Sequence, residues 1–190
     1  TKSDKISWYK GEALLPYLEK VDVTEKKQEE GFYMPVQRVC RPDHTFRGFQ
    51  GQIESGEVKV GDEIVTLPSN ERAHIKSILV GDKDSQSAFM GQPVTLQLDK
   101  EVDVSRGCVI ASGNNLPISK SFTATILWMD DEELTPGTDY LVKLGTKQIP
   151  GILKNIQYKI DVNTGEFIPA GQLKKNEIAV CDLDLQEPVV

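Results

Sequence analysis

From Phe32 onward, apolar and polar residues alternate in short runs. Val94, Leu96 and Leu98 are separated by Thr95 and Gln97, and Phe122, Ala124, Ile126 and Trp128 interleave with Thr123, Thr125 and Leu127. Tyr140, Val142 and Leu144 repeat the pattern, as do Ile156, Tyr158 and Ile160. Successive side chains of a strand point to opposite faces, so a period of two lays one face over a core and leaves the other in water. Turn chemistry separates the runs at Gly61-Asp62, Gly81-Asp82, Pro136-Gly137 and Asn163-Thr164-Gly165. The pattern predicts an all-β chain of short antiparallel strands, closed into small barrels or sandwiches.

Ahead of the strands the period changes. In "WYKGEALLPYLEKVDV", Leu14, Leu18 and Val21 fall at i, i+4 and i+7 on one face of a short helix, with Pro16 in its first turn. "TEKKQEEG", 24–31, is charged and turn-prone and reads as a linker. One short helix before a β domain has no core of its own, so this segment is expected to be the tail of a domain outside the sequence. "SGNNLP", 112–117, clusters Ser, Gly, Asn and Pro between two β-patterned blocks. The expected organisation is a helical tail and linker over 1–28, a first β-barrel over 29–114 and a second over 115–190.

Length and composition narrow the function. A chain of 190 residues accommodates one large or two small domains with adequate cores. With 22 Lys and Arg against 29 Asp and Glu, the net charge is -7 and the only basic runs are Lys26-Lys27 and Lys174-Lys175. Phosphate binding needs a local excess of cations, so no nucleic-acid partner is expected. Cys40, Cys108 and Cys181 are widely spaced without a CxxC pair, which argues against a disulfide framework or zinc site and for free thiols in a reducing cytoplasm. No stretch approaches a membrane span and no secretory leader is expected, giving a cytoplasmic reading with no membrane partner.

Reactive constellations are scarce. Gly51 and Gly56 have the G-x-x-x-x-G spacing of a phosphate loop, but Glu57 and Val58 stand where that loop needs Lys and Ser/Thr. No nucleotide site, catalytic group or metal set is expected in this chain. His44 and His74 lie far apart, with no nucleophile arranged beside either. His44 sits in the turn-like "RPDHTFRG", and His74 reads as an outward polar residue of the strand "AHIKSILV". "DDEE", 130–133, reads as a solvated loop tip, because calcium needs oxygens spread over a wrapped loop. Arg38, Arg41 and Arg47 bracket a loop interleaved with Phe46 and Phe49. Arginine beside aromatics suits partner recognition, and pairing with a nearby acid such as Asp43 is the plainer reading.

"GQIESGEVKVGDEIVTL" carries Gly51, Ile53-Glu54, Gly56, Val58, Val60 and Gly61-Asp62. At this spacing it resembles the β-barrel second domain of translation-type GTPases such as elongation factor Tu. "EVDVSRGCVIAS", 101–112, resembles that barrel's closing strand. More specific segments are Val36, Gln37, Val39, Arg41 and Pro42 leading into Phe46, Arg47 and Gly48, and Trp128-Met129 followed by Pro136-Gly137. These resemble one branch, the large GTPase subunit of bacterial sulfate adenylyltransferase, across nearly the whole chain.

The resemblance implies two elongation-factor-Tu-like barrels, second and third domains, from an enzyme that makes adenylylsulfate from ATP and sulfate. It implies GTP and Mg²⁺ in a GTPase domain outside this sequence, and a small adenylyl-transferring subunit as partner. Some relatives are fused to adenylylsulfate kinase. The expected role is non-catalytic: coupling GTPase state to the small subunit. Arg38, Arg41, His44, Phe46, Arg47 and Phe49, with Asp130 and Asp131, are the expected contacts. "DLQEPVV" falls short of the family's closing segment, so an open edge is expected in the second barrel. An RNA-binding barrel fragment of a translation GTPase is the competing reading, and a self-contained enzyme the third.

Overall fold

The computed structural model describes residues 5, 7–22, 31–113 and 116–190. The linker expected over 24–31, except Gly31, and Asn114-Asn115 of the expected boundary lie outside these. The short helix α1 (Leu14–Lys20) forms as the spacing predicts, with Pro16 in its first turn and the Val21 N–H bonded to the Tyr17 carbonyl. None of its residues is buried, and Leu14, Leu15 and Leu18 face solvent.

The first β domain contains β1 (Tyr33–Pro35), β2 (Arg38–Cys40), β3 (Gly48–Gln52), β4 (Glu57–Lys59), β5 (Glu63–Leu67), β6 (Glu71–Val80), β7 (Lys83–Ser85), β8 (Ser87–Phe89), β9 (Pro93–Leu98) and β10 (Val109–Ala111). Its main sheet runs β1-β10-β5-β6-β9-β3-β2, all antiparallel, with β7 on β6 and the β4–β8 ribbon beside it. The two ends of that order, β1 and β2, are consecutive in the chain. The run from Tyr33 to Cys40 therefore pairs with β10 at one end and with β3 at the other, which closes the sheet into a barrel. Val36 N–H to the Cys108 carbonyl and Gln37 N–H to the Gln50 carbonyl, both 2.8 Å, stitch the crossing. The alternation is realised inside: Val94, Leu96 and Leu98 of β9 join Met34, Phe49, Ile53, Ile64, Ile75 and Ile110 in the core.

One expectation is narrowed. The closing strand is only Val109–Ala111, and residues before it form an irregular segment. Val102 and Val104 are still buried there, but the Val104 N–H turns back to the Val102 carbonyl and Gly107 adopts φ +95°. The cysteines also differ: Cys181 is buried, whereas Cys40 and Cys108 are half-buried. All three are free thiols, and burial pushes the Cys181 thiol pKa up.

The second domain contains β11 (Ser119–Leu127), β12 (Asp139–Leu144), β13 (Lys147–Ile160), β14 (Phe167–Ile168) and β15 (Ile178–Val189), in the antiparallel order β11-β15-β13-β12 with β14 also on β13. The sheet curls over Leu153, Leu173, Ala179, Cys181 and Leu183, and brings the Trp128 and Tyr140 rings edge to face with centroids 5.6 Å apart. Buried residues alternate along the central strands β13 and β15, whereas β11 and β12 reach only partial burial. Leu144 departs from the expected alternation: it ends β12 beside the Gly145 turn and lies exposed at the gap between the domains. The domains meet where Leu116, Tyr33 and Val190 pack on Val65, Leu67, Val109 and Ala111, and where Arg106 Nε donates to the Thr146 carbonyl at 3.2 Å.

Candidate functional site

The loop joining β2 to β3 is built by Asp43. Its Oδ1 accepts hydrogen bonds from the Thr45 N–H and hydroxyl, both at 2.7 Å, and from the Phe46 N–H at 3.0 Å. An Asx turn of this kind replaces backbone partners that the loop 41–47 lacks. The Thr45 hydroxyl foremost, then the Thr45 amide, holds the Asp43 carboxyl below its ordinary value of 3.8. A depressed carboxyl stabilises the fold above its unfolded pKa and loses that contribution as pH falls through the folded value. Asp43→Ala should therefore melt below the wild type between pH 5 and 7, and the gap should close as pH falls under about 4. A gap that does not narrow on acidification would assign the effect to packing.

Phe46 lies across Gly48, where a Cβ would stand 2.7 Å from Phe46 Cε1 and 2.5 Å from Thr95 Cγ2. Arg47 then enters β3 with its guanidinium 5.1 Å from the Phe49 ring centroid. Its Nη1 donates to the Val102 carbonyl at 2.8 Å and its Nη2 to the Val104 carbonyl at 3.3 Å, which ties that irregular stretch to the barrel. Nε is buried with no partner. A buried donor left unmade costs about 1–3 kcal/mol, so the arginine is held here at some expense.

These residues line a cavity of about 550 Å³ between the loop, Lys76 of β6, the end of β9 and the segment that follows to residue 101. Arg41, His44, Phe46, Arg47 and Phe49 all reach it, so five of the expected contact residues converge. Lys76 and Lys100 join them at the exposed rim. Among the acids, Asp99 is occupied by His74, accepting its N–H at 2.8 Å and facing its Nδ1 at 3.1 Å. The His74 amide is the main reason the Asp99 carboxyl lies below its ordinary range. Glu101 meets the arginines instead: its Oε2 lies 3.5 Å from Arg41 Nη2 and 3.6 Å from Arg47 Nη1. The acid expected to pair with the arginines was Asp43; it is committed to its own turn, and Glu101 takes that place. Exposed ion pairs at such distances contribute about 0–1 kcal/mol, so Glu101 is weakly held.

The remaining expected contacts lie elsewhere. Arg38 is an exposed residue of β2, opposite Gln50, and does not line the cavity. Asp130 and Asp131 belong to the second domain, where Asp131 pairs with Lys175 at 2.6 Å and Asp130 accepts the Glu132 N–H at 3.3 Å. Trp128 Nε1 donates to the Glu132 carbonyl at 2.6 Å, tying that loop to its own barrel. Lys76, Lys100 and Glu101 were absent from the sequence reading, since nothing local marks them. Of the residues at phosphate-loop spacing, Gly51 is buried within β3, and Glu57 and Val58 belong to β4.

Comparison with known proteins places this geometry. Residues 121–190 match the GTP-eEF1A C-terminal domain-like family. Over 189 residues the chain is 41% identical to sulfate adenylyltransferase subunit 1 of Teredinibacter turnerae, covering 99% of this chain and 40% of that protein. It is 42% identical over 190 residues to the subunit 1 of Saccharophagus degradans, covering 100% and 40%. Along its whole length, then, the chain is similar to sulfate adenylyltransferase subunit 1.

It spans about 40% of the length of these curated relatives. Among solved structures, Sup35 complexed with GDP superposes with a TM-score of 0.79 at 25% identity, covering 96% of this chain and 45% of that one. Elongation factor SelB from Methanococcus maripaludis gives 0.73 at 22% identity, over 92% and 38%, and shares the fold. The two β domains thus share the barrel-pair fold of these solved structures, and the arginine cavity sits on the first of them.

Proposed function

We propose that the chain is the barrel region of the GTP-dependent large subunit of a sulfate adenylyltransferase, and that it couples the GTPase state to the small adenylyl-transferring subunit. The observation that carries this is identity of 41% over 99% of the chain to a subunit 1, joined to a cavity where Arg41, Arg47, Phe46 and Phe49 converge. Aromatic and arginine side chains are enriched where proteins bind one another. A nucleotide can move such a contact only by interacting differently with two states of the subunit, so the barrels act as the moving surface and the nucleotide is held outside this sequence. Enzymatic adenylyl transfer is assigned to the small subunit.

Titration of the chain against the small subunit by calorimetry tests the reading directly, with micromolar binding expected. Within the full-length large subunit, Arg41→Ala should leave stability within about 0.5 kcal/mol of wild type, as expected for an exposed surface residue. It should nonetheless lower the adenylylsulfate formed per GTP hydrolysed. Unchanged coupling in that variant would remove the cavity from the interface. The competing RNA reading requires affinity that falls steeply with salt.

A further inference from the structure

The arginine cavity is already half-filled from within. We propose that Glu101 is a built-in plug of a carboxylate socket, occupying the place that an acidic side chain of a protein partner takes on binding. The inference rests on the partner-contact reading above and deepens it.

The charges around the cavity carry the argument. Arg41, Arg47, Lys76 and Lys100 contribute four cations, against Asp43, Asp99 and Glu101. Asp43 is used by the Thr45 and Phe46 amides and Asp99 by His74, so Glu101 is the one lining carboxylate turned toward the arginines. Its side chain is 80% exposed, and its two ion-pair distances, 3.5 and 3.6 Å, exceed those of a close hydrogen-bonded pair. Such a carboxylate swings out with little loss. Its departure leaves an Arg pair, two rim lysines and the half-buried Phe46 ring for an incoming group.

The same geometry selects the occupant. Arg47 already spends one N–H of each terminal nitrogen on the Val102 and Val104 carbonyls, which leaves fewer of its donors for a multidentate phosphate than for a single carboxylate. A long polyanion would meet a chain of net charge -7 beyond this one spot. A short acidic protein segment with an adjacent aromatic residue matches the cations and the Phe46 edge together.

The test is an NMR and calorimetric titration of the isotope-labelled chain with the peptide Ac-Gly-Glu-Phe-Glu-Gly-NH2. Its Gln-for-Glu analogue, inorganic phosphate and a single-stranded oligonucleotide are titrated in parallel. The acidic peptide should shift the amides of 41–47 and 99–101. It should bind at least about threefold tighter to Glu101→Gln, as removal of an internal competitor requires. Adding Arg41→Gln to that variant should reverse the gain. Equal or weaker binding by Glu101→Gln overturns the plug, and equal binding of the Gln peptide overturns the carboxylate specificity. Tighter binding of phosphate or oligonucleotide overturns the protein occupant. Small subunit titrated with peptide already bound separates the readings: full peptide affinity without competition counts against the coupling role alone and leaves the socket standing.

Discussion

Gly51→Ala is expected to destabilise the first domain by about 3 kcal/mol, near the upper end of what overpacking a closed core costs. A Cβ at this position would stand 2.4 Å from the Pro35 carbonyl oxygen and 2.9 Å from Met34 Cγ. Met34 is a side chain that could shift, but the Pro35 oxygen belongs to the backbone crossing that closes the barrel. Room for the methyl exists only if β1 moves away from β3, and that movement would loosen the β1–β10 pairing as well. Urea unfolding followed by tryptophan-independent far-UV circular dichroism reads the loss as a lower midpoint at similar slope. An unchanged midpoint would show that the β1–β2 crossing is not the rigid closure described here.

Arg47→Ala should cost about 2–3 kcal/mol, because two hydrogen bonds from a charged donor disappear and leave the Val102 and Val104 carbonyls to find water. Arg47→Met separates the contributions: it keeps a stem over Phe49 and removes the donors, so it should recover only the packing share. Glu101→Gln, by contrast, should leave the unfolding midpoint close to wild type, since its pairs are exposed and long. If Arg47→Ala unfolds like the wild type, the 101–108 segment is held by other means and the arginine is free for a partner. Arg47 is therefore part of the scaffold as much as of the site, and Arg41 is the cleaner probe of binding.

Much of the fold was readable without coordinates. The alternation in β9 and β11 and the turn glycines at 61, 81, 137 and 165, all of which adopt positive φ, are local properties with local causes. Strand lengths were less legible where long-range contacts intervene. "EVDVSRGCVIAS" reads as one strand, but the regular strand is only Val109–Ala111, and the carbonyls of Val102 and Val104 before it are bonded to Arg47 instead. The loop carrying Arg41, His44 and Phe46 was visible as arginines among aromatics, but Asp43 read as a possible arginine partner and not as the residue that builds the turn.

What the sequence determined by itself is the set of pieces: short antiparallel strands, the helix before them, the arginine loop and a kinship carried by motifs. Each depends on residues within a few positions of one another, where φ preferences and side-chain period act directly. Only the tertiary structure decided which pieces meet. Arg47 finds its carbonyls 55 and 57 residues away, and Glu101 comes to the same cavity because β9 lies beside β3. Barrel closure sets that meeting, and it is a property of the whole sheet that no local pattern encodes.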